Sequence, residues 1–271
     1  LGFVFSVCGS WERALYCLKH LARAAFALKY QEMLITRGPG GNGKDTLANR
    51  LAVLLGTYFS NLDSKALTVN RDMDAASHTF LALKAKRFVC IREIEKNAPI
   101  KGNIYKTVSD YKSKIKARPL YGEDEEFYPQ FLLFACTNVP LEIDDKGKGS
   151  QRRTRILDMP FNFVHEPMAA NEKRIVPDLE DRFPDWNPSL FFLLCQVRSI
   201  MMSEAAGEVH PVPLEVQEAV REELREPWVD VLDAFVRTKL EPTPHVGMAS
   251  TAAEIRDAFY KICEGVEKRE L

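Results

Sequence analysis

A glycine-rich loop in the first part of the chain has the residue types that bind a polyphosphate. It consists of Gly38, Pro39, Gly40, Gly41, Asn42, Gly43, Lys44, Asp45 and Thr46. Glycines let backbone N–H groups curve around phosphate oxygens, the N-terminus of a following helix adds a favourable dipole, and the lysine reaches the terminal phosphates. Residues 32–36 are predicted to form the preceding strand, and leucines at helical spacing after Thr46 predict the helix. The segment, called the P-loop below, therefore predicts a nucleotide site.

One position of the P-loop departs from the usual pattern of such loops. A Ser or Thr normally follows the lysine and places a hydroxyl on Mg²⁺, whereas this chain has Asp45, with Thr46 after it. A carboxylate also binds a hard cation, but it brings a full negative charge close to the phosphates. Asp45 and Thr46 are the candidate Mg²⁺ ligands of the loop, and we expect nucleotide affinity to depend steeply on Mg²⁺.

A further acidic candidate stands at the end of a predicted buried strand at 87–94. There, Glu93 can polarise the attacking water or bind Mg²⁺ through water. Glu95, two residues on, would share its strand face. Arg92 stands where many P-loop enzymes carry a second carboxylate. The plainer interpretation of Glu93 is a solvated acid at a strand end.

Asn138 and a pair of arginines complete the groups expected around a γ-phosphate. Asn138 directly follows an apolar run, where its amide could orient the attacking water; the alternative is an asparagine turn before Pro140. Arg152 and Arg153 follow a glycine-bearing stretch, 144–150, that is predicted to be a mobile loop. An arginine on an exposed loop can reach the nucleotide of a neighbouring subunit, although paired arginines are usually only a solvated surface.

Four cations alternate with uncharged residues in a predicted strand at 112–120. They are Lys112, Lys114, Lys116 and Arg118, and period two would place them on one strand face. Like charges on one face repel unless water or an anion meets them, and the phosphates of nucleic acid are the obvious anion. A solvated edge strand is the alternative. In a ring ATPase, the segment predicts a DNA contact.

Strands and helices alternate along the first part of the chain. Besides the elements above, the sequence predicts strands at 66–69 and 155–159 and helices at 10–29 and 100–109, with Ser10 as the N-cap of the first helix. A P-loop after the first core strand, followed by such alternation, predicts an α/β fold with a central, mostly parallel sheet flanked by helices. The ligand is expected at the carboxyl edge of that sheet.

The amino-acid composition changes near residue 164. Several prolines occur in a connector there, and predicted helices follow at 189–202, 214–240 and 251–263. We expect an N-terminal helical segment at 1–30, a core at 31–164, and a helical region at 165–271, for which a winged helix is one candidate. Because the first residue is not Met, we expect the chain to be a fragment of a longer protein.

The bulk composition is that of an ordinary globular protein. The 271 residues are 46% hydrophobic and 28% charged, with a net charge of -1, so a polyanion site must come from local clustering. The six cysteines are scattered without metal-binding spacing, which indicates reduced core residues and an intracellular protein. The longest apolar run, 190–195, is too short to cross a bilayer, so no membrane partner is expected.

The order of these motifs resembles that of the superfamily 3 helicase domain, above all in the primase-helicases of phages, plasmids and poxvirus-type large DNA viruses. Four segments carry the resemblance: GPGGNGKDT, RFVCIREIEK, KIKARPLYGEDEEFYPQFLLFACTNVP and QRRTRILDMPFNF. They follow the family's order and span about residues 30–163.

The resemblance implies an AAA+-type core that assembles into a homo-hexamer, uses ATP and Mg²⁺, and translocates along single-stranded DNA. It implies phosphate binding for Lys44, the Walker B acid for Glu93, sensor one for Asn138, and the finger that acts in trans for Arg152 or Arg153. It also implies that the basic segment is the hairpin that grips DNA, and that a primase or origin-binding module belongs to the parent protein.

Two alternatives stay open. Asp45, together with the absence of the family's Gly-Gly-Asp before the basic segment, favours a catalytically weakened module that binds ATP, forms rings and binds DNA without productive hydrolysis. Gln151 also stands where the family has an aromatic residue. A small-molecule P-loop kinase is the third alternative, although nothing in the sequence supplies a lid or an acceptor site.

Overall fold

The computed structural model describes residues 2–69, 78–92, 94, 98–118, 122–203 and 211–225. Its strands in chain order are β1 (Met33–Arg37), β2 (Phe59–Leu62), β3 (Phe88–Ile91), β4 (Ile115–Ala117), β5 (Glu125–Phe127), β6 (Leu132–Thr137), β7 (Thr154–Asp158), β8 (Asn162–Val164) and β9 (Glu172–Arg174). Its α-helices are α1 (Gly2–Cys8), α2 (Trp11–Ala25), α3 (Lys44–Leu55), α4 (Lys65–Thr68), α5 (His78–Leu81), α6 (Gly102–Val108), α7 (Lys148–Arg153), α8 (Asn187–Ser203) and α9 (Leu214–Glu223). Single 3₁₀ turns occur at Gly56–Tyr58 and Glu180–Arg182.

Five strands form one parallel sheet in the order β2-β3-β6-β1-β7. Because β1 lies between β6 and β7, Leu34 pairs with Phe134 on one side and with Arg155 on the other. Parallel neighbours need crossover connections, and helices such as α3, α6 and α7 lie in those connections. The predicted α/β fold with a central parallel sheet flanked by helices is confirmed.

The central strands are buried on both faces because their side chains alternate between two apolar clusters. Leu34 and Phe134 belong to the cluster that includes residues of α1, α2, α3 and α8. Met33, Ile35 and Leu133 belong to the cluster on the other face, with residues of α4, α5, α6 and α9. A strand covered on both faces has no polar side of its own, which explains the near-continuous apolar run of β6.

A buried ionic cluster connects α2 with the residue before β1 and with β7. Oε1 of Glu32 lies 2.8 Å from Nη2 of Arg155, and Oε2 lies 3.4 Å from Nε2 of His20 and 3.6 Å from Nη1 of Arg23. Burial works to raise the pKa of Glu32, but hydrogen bonding with His20 and the charges of His20, Arg155 and Arg23 outweigh it and lower the pKa to about 2. This cluster was not predicted from the sequence.

Helix α2 begins where the sequence predicts it. Oγ of Ser10 accepts the backbone N–H of Arg13 at 3.2 Å and so caps the helix. The strand predicted at 66–69 is wrong, since this stretch lies in helix α4 and the turn after it. The second strand of the sheet comes earlier, at β2, where Phe59 pairs with Phe88 of β3. β2 forms a strand because it pairs with β3, and the apolar residues of its own sequence contribute less to this.

The stretch 144–150, predicted to be a mobile loop, is ordered by hydrogen bonds. Oδ1 of Asp144 accepts the N–H of Gly102 at 2.7 Å, and Oδ1 of Asp145 accepts the N–H of Gly147 at 2.9 Å. Helix α7 then begins at Lys148. The two carboxylates satisfy backbone donors that a mobile loop would leave to water.

The strand predicted at 112–120 is shorter than expected. Only β4 is extended, because Asp110 holds the residues before it in a turn by accepting the N–H of Lys112 at 2.8 Å and the hydroxyl of Ser113 at 3.2 Å. Lys116 is therefore the cation inside the strand, while Lys112, Lys114 and Arg118 flank it. Residues 119 and 120 lie outside the described residues.

The described residues up to Leu224 form one compact unit, and Arg225 begins a second unit. Helix α9 covers the start of the helix predicted at 214–240; the later part of that helix, the helix predicted at 251–263 and any winged helix there lie outside the described residues. The domain boundaries near residues 30 and 164 stay predictions. Among the helices that the structure describes, none is long and apolar enough to span a membrane. The described cysteines are all free, with Cys8, Cys17, Cys90 and Cys136 buried and Cys195 half-buried.

Candidate nucleotide site and basic hairpin

The P-loop joins the end of β1 to the start of α3. Gly41 and Gly43 have φ angles of 78° and 82°, in the left-handed region that glycine adopts without strain. A Cβ on Gly41 would lie 2.6 Å from Oδ1 of Asn162, and the carbonyl of Gly41 accepts the N–H of Phe163 at 2.8 Å. Strand β8 therefore supports the loop at a distance that leaves no space for a side chain.

Lys44 is almost fully buried, at 3% exposure, inside the loop that it ends. Its ammonium donates to Oδ1 of Asn42 at 2.7 Å and to the carbonyls of Gly38 and Pro39 at 2.8 and 3.2 Å. It also donates to Oδ1 of Asn138 at 2.7 Å. Burial lowers the pKa of Lys44.

The contact between Lys44 and Asn138 follows from the strand order. Asn138 comes directly after β6, and the P-loop comes directly after β1, which is the neighbour of β6 in the sheet. Carboxyl ends of neighbouring parallel strands meet at one sheet edge, so these two side chains come together although 94 positions separate them. A lysine and an amide thus meet at this edge of the sheet.

Asp45 contacts the other unusual residue of the site, Arg92, which follows β3. Nη1 of Arg92 lies 3.2 Å from Oδ1 of Asp45, and Nη2 donates to Oδ1 of Asn49 at 2.7 Å. The Asp45 side chain is 62% exposed and the Arg92 side chain 32%, so solvent screens the pair and its contribution to folding is about 1 kcal/mol or less. The guanidinium nevertheless neutralises the charge that Asp45 adds beside the loop.

The described Mg²⁺ candidates are Asp45 and Thr46. Their carboxylate and hydroxyl oxygens are the hard donors that Mg²⁺ prefers, and in nucleotide sites phosphate oxygens complete its coordination. These two residues therefore fit the ion. Glu93, the third candidate, and Glu95 lie outside the described residues. Across 2–69, 78–92, 94, 98–118, 122–203 and 211–225, no three His, Cys, Asp or Glu side chains form a cluster that could hold a metal.

A cavity of about 990 Å³ opens beside the P-loop. Its lining includes Thr46 and Leu47 of α3, Phe3 of α1, Phe163 of β8, and Ile175, which follows β9. Its volume lies in the range of roughly 300–1,000 Å³ that is typical of small-molecule pockets. This lining was not predicted from the sequence, although residues 3–5, Phe-Val-Phe, are apolar and so indicate a segment that packs against the core.

Four cations line this cavity, Arg50, Lys173, Arg174 and Arg182, and none of them was predicted as a site residue. Arg50 of α3 is 4% exposed, and its Nη1 donates to Oδ1 of Asn187 at 2.6 Å. Lys173 of β9 donates to the carbonyl of Ser6 at 3.1 Å. Burial lowers the pKa of both side chains. Arg50 and Lys173 place positive charge in the wall of a cavity that Asp178, Glu180 and Asp181 also line.

The two predicted finger arginines differ in their surroundings. Arg153 is 8% exposed; its Nη2 lies 3.5 Å from Oδ2 of Asp110, and its Nη1 donates to the carbonyl of Gly149 at 3.1 Å. Arg152 is exposed, and its Nη2 donates to Oε1 of Gln31 at 3.2 Å. Arg153 is thus held inside the fold, while Arg152 faces the surface.

The basic segment forms one arm of the antiparallel β4–β5 hairpin, and the other arm brings acids to it. Nζ of Lys114 lies 2.7 Å from Oε2 of Glu126, and Nζ of Lys116 lies 3.9 Å from Oε1 of the same residue. Nε of Arg118 lies 3.9 Å from Oδ1 of Asp124. The expected face of like charges is therefore partly neutralised across the hairpin.

One family matches the stretch that carries these residues. It is described as a family of unknown function (DUF5906), and it matches residues 36–153. That range begins in β1 and ends with α7, so it contains the P-loop, Asn138, the basic hairpin and both arginines.

Two relatives are named as viral helicases. The chain is 25% identical over 191 residues to "Putative helicase L207/L206" of Acanthamoeba polyphaga mimivirus, an alignment that covers 67% of this chain and 20% of that protein. It is 27% identical over 151 residues to "Putative helicase V13" of Sputnik virophage, covering 54% of this chain and 19% of that protein. The similarity is to helicase-related viral proteins. The chain spans about a fifth of the length of these relatives.

Solved structures share the fold. The A form apo structure of the NrS-1 C terminal region (305–718) has a TM-score of 0.59 at 13% identity, covering 96% of this chain and 61% of that chain. Another apo structure of the same region has a TM-score of 0.59 at 12% identity, with the same coverage. At this level of identity, the likeness concerns the arrangement of helices and strands.

Proposed function

We propose that this chain is an ATP-dependent DNA helicase domain of the superfamily 3 type. The observation that carries the proposal is the 2.7 Å contact between Lys44 and Asn138, which joins a P-loop lysine and a strand-end amide at the carboxyl edge of a parallel sheet. Open α/β sheets bind their ligands at that edge. The names of the two viral relatives support the same function.

In the proposed site, the P-loop backbone and Lys44 hold the phosphates of ATP. Asn138 orients the attacking water, and Glu93 is the acid that polarises it. Asp45 and Thr46 would hold Mg²⁺, which supplies charge neutralisation to the phosphates when bound. The cavity of about 990 Å³ beside Thr46 offers space for the ribose and the base.

The proposed active form is a homo-hexameric ring in which Arg152 reaches the nucleotide of the next subunit. Arg152 is preferred to Arg153 because Arg152 is exposed, whereas Arg153 is buried beside Asp110. Lys112, Lys114, Lys116 and Arg118 would contact single-stranded DNA in the ring. The parent protein would add a primase or origin-binding module and would act inside the host cell, in a replication complex.

ATP hydrolysis measured with and without single-stranded DNA tests the proposal. We expect DNA to stimulate hydrolysis by the wild-type chain, and we expect the chain to unwind a forked duplex only with ATP and Mg²⁺. Lys44→Ala should do neither. Hydrolysis that DNA leaves unchanged, together with no unwinding, would overturn the helicase assignment.

A second candidate function is favoured by the pair of Asp45 and Arg92. With a guanidinium at the position where a second carboxylate is usual, the site could bind ATP without productive hydrolysis. The chain would then be a ring-forming module that binds ATP and DNA. Tight ATP binding with turnover no faster than that of Lys44→Ala would indicate this function.

A further inference from the structure

A second cavity, of about 510 Å³, lies at the edge of the sheet opposite the P-loop. Three of its lining residues come just before strands: Tyr30 before β1, Arg87 before β3 and Phe131 before β6. The strands are parallel, so these amino ends share one edge of the sheet. The nucleotide candidates Arg92 and Asn138 follow the carboxyl ends of β3 and β6, and the two sites are therefore separate.

The lining of this cavity combines aromatic rings with cations. We call it the tyrosine pocket, and its aromatic and basic members include Tyr30, Tyr111, Tyr128, Lys29, Arg87 and Lys112. Tyr128 is 50% exposed, and Lys29 and Lys112 are exposed as well. A cavity that faces solvent with tyrosine rings and lysines has the two groups that single-stranded nucleic acid requires, a stacking surface for bases and a positive charge for phosphates.

The tyrosine pocket is continuous with the basic hairpin. Nζ of Lys112 lies 5.5 Å from the ring centroid of Tyr111, its neighbour in the chain. Nζ of Lys114 lies 5.9 Å from the ring centroid of Tyr128, at the end of the other hairpin arm. Each ring of the pocket mouth thus stands beside a lysine that also belongs to the basic segment, so one strand of nucleic acid could use both.

We propose that the tyrosine pocket binds an unstacked base of single-stranded DNA whose backbone runs along the β4–β5 hairpin. Tyr111 and Tyr128 stack on the base, while Lys112 and Lys114 contact flanking phosphates. Stacking on an aromatic ring is sequence-tolerant because every base has a π-face, which suits a protein that must move along any sequence. The proposal rests on the proposed function only in naming DNA as the strand.

Oligonucleotide binding by the full 271-residue chain tests the pocket. The probes are an oligo(dT) strand and a strand of equal length made of abasic sites, which keeps the phosphates and lacks the bases. Tyr128→Ala and Tyr111→Ala should each weaken oligo(dT) binding about 5- to 100-fold. Binding of the abasic strand should stay unchanged, and the dependence of oligo(dT) affinity on salt should keep its slope because no phosphate contact is lost.

Matched variants distinguish a loss of base stacking from a loss of folding as the cause of weaker binding. Tyr128→Phe keeps the ring and should retain oligo(dT) affinity. Phe192→Ala removes a ring that is 65% exposed on α8, outside the pocket, and should have no effect. Circular dichroism and thermal melting of each variant report on folding.

Different results would contradict the pocket proposal and the helicase proposal. Unchanged oligo(dT) affinity in both tyrosine-to-alanine variants, or an equal loss for the abasic strand, would overturn the pocket even if the wild-type chain unwinds DNA. Base-dependent loss of binding in these variants, in a chain that shows neither DNA-stimulated hydrolysis nor ATP-dependent unwinding, would support the pocket and overturn the helicase.

Discussion

Arg92 and Asp45, which lie 47 positions apart in the chain, form an ion pair of 3.2 Å beside the P-loop. Each departs from what P-loop enzymes usually carry at its position, where a hydroxyl stands at the start of the helix and a carboxylate at the strand end. The two departures therefore compensate each other. The extra carboxylate stands at the start of α3, and a cation stands after β3 at the position where a second carboxylate, besides Glu93, is usual.

Removal of Arg92 should show how far the negative charge of Asp45 weakens ATP binding. We expect Arg92→Ala to weaken ATP binding about fivefold at low Mg²⁺, since the lost interaction is a partly exposed one of about 1 kcal/mol. High Mg²⁺ should restore most of the affinity. Calorimetric titration with ATP at several Mg²⁺ concentrations measures this.

The double variant Asp45→Ser with Arg92→Ala tests whether the charge of Asp45 causes this loss of ATP affinity. In Asp45→Ser, which carries no charge at position 45, Arg92→Ala should have little effect on ATP affinity. Asp45→Ser alone should bind ATP at lower Mg²⁺ and hydrolyse it faster. Weaker binding by Asp45→Ser at every Mg²⁺ concentration would instead mean that the carboxylate holds the metal better than a serine hydroxyl does at this position.

Substitution of Lys44 should affect ATP binding, whereas substitution of Asn138 should affect turnover. Lys44→Ala should abolish ATP binding, because its ammonium is central to the loop. Asn138→Ala should keep ATP affinity within about threefold and lower kcat about 100-fold, as removal of a single oriented polar group does in other enzymes. Asn61→Ala, an exposed asparagine on β2, is the control. Normal turnover by Asn138→Ala would remove Asn138 from the catalytic groups.

Arg152 and Arg153 should separate into a functional and a structural residue. Arg152→Ala should fold normally, lose hydrolysis, and recover part of it in mixed rings with Lys44→Ala subunits, because a finger acts on the neighbouring site. Arg153→Ala should lower the free energy of unfolding by about 1–3 kcal/mol through the loss of its buried charged contact with Asp110. Urea unfolding measures the second effect. No rescue in demonstrated mixed rings would argue against a role of Arg152 in trans.

Replacing the lysines of the hairpin and replacing its acid Glu126 should change single-stranded DNA affinity in opposite directions. Replacement of Lys112, Lys114 and Lys116 by Ala should weaken single-stranded DNA binding and reduce the slope of log affinity against log salt by about 0.7 for each lost phosphate contact. Glu126→Gln should strengthen binding, because Glu126 lies 2.7 Å from Lys114 and competes with phosphate for it. An unaltered salt slope in the triple variant would identify the segment as a solvated strand.

The buried cluster around Glu32 should make stability depend on pH. The pKa of Glu32 is lowered to about 2 in the folded chain, below its unfolded value of about 4.5, so its contribution is complete above about pH 5 and disappears as the pH falls towards 2. Glu32→Gln should cost about 3 kcal/mol at pH 7, and the difference from wild type should shrink in acid. Glu166→Gln, an exposed acid, should change little. A difference that stays constant between pH 7 and pH 3 would contradict this role of Glu32.

Local patterns in the chain were sufficient to predict most of the elements. Ser10 caps α2, and the apolar run before Asn138 forms β6. Capping and burial on both faces each require particular residue types, so both can be recognised in the sequence. Helix α7 and strand β2 are among the elements that were not predicted, together with α1, α4, α5, β8 and β9, and the formation of α7 and β2 depends on partners distant in sequence. Asp144 of the stretch before α7 binds the backbone of Gly102, and Phe59 pairs with Phe88.

The sequence by itself determined the P-loop, the parallel α/β fold and the identity of the polar residues at the strand ends. Only the tertiary structure decided which of these residues meet. The order β2-β3-β6-β1-β7 brings Asn138 to Lys44 and Arg92 to Asp45. The packing of α7 exposes Arg152 while Arg153 is buried, and the placement of the β4–β5 hairpin gathers Tyr111 and Tyr128 around one pocket. Residue types and spacing specify local conformation, whereas contacts between distant residues depend on how strands are ordered in the sheet, which no local pattern encodes.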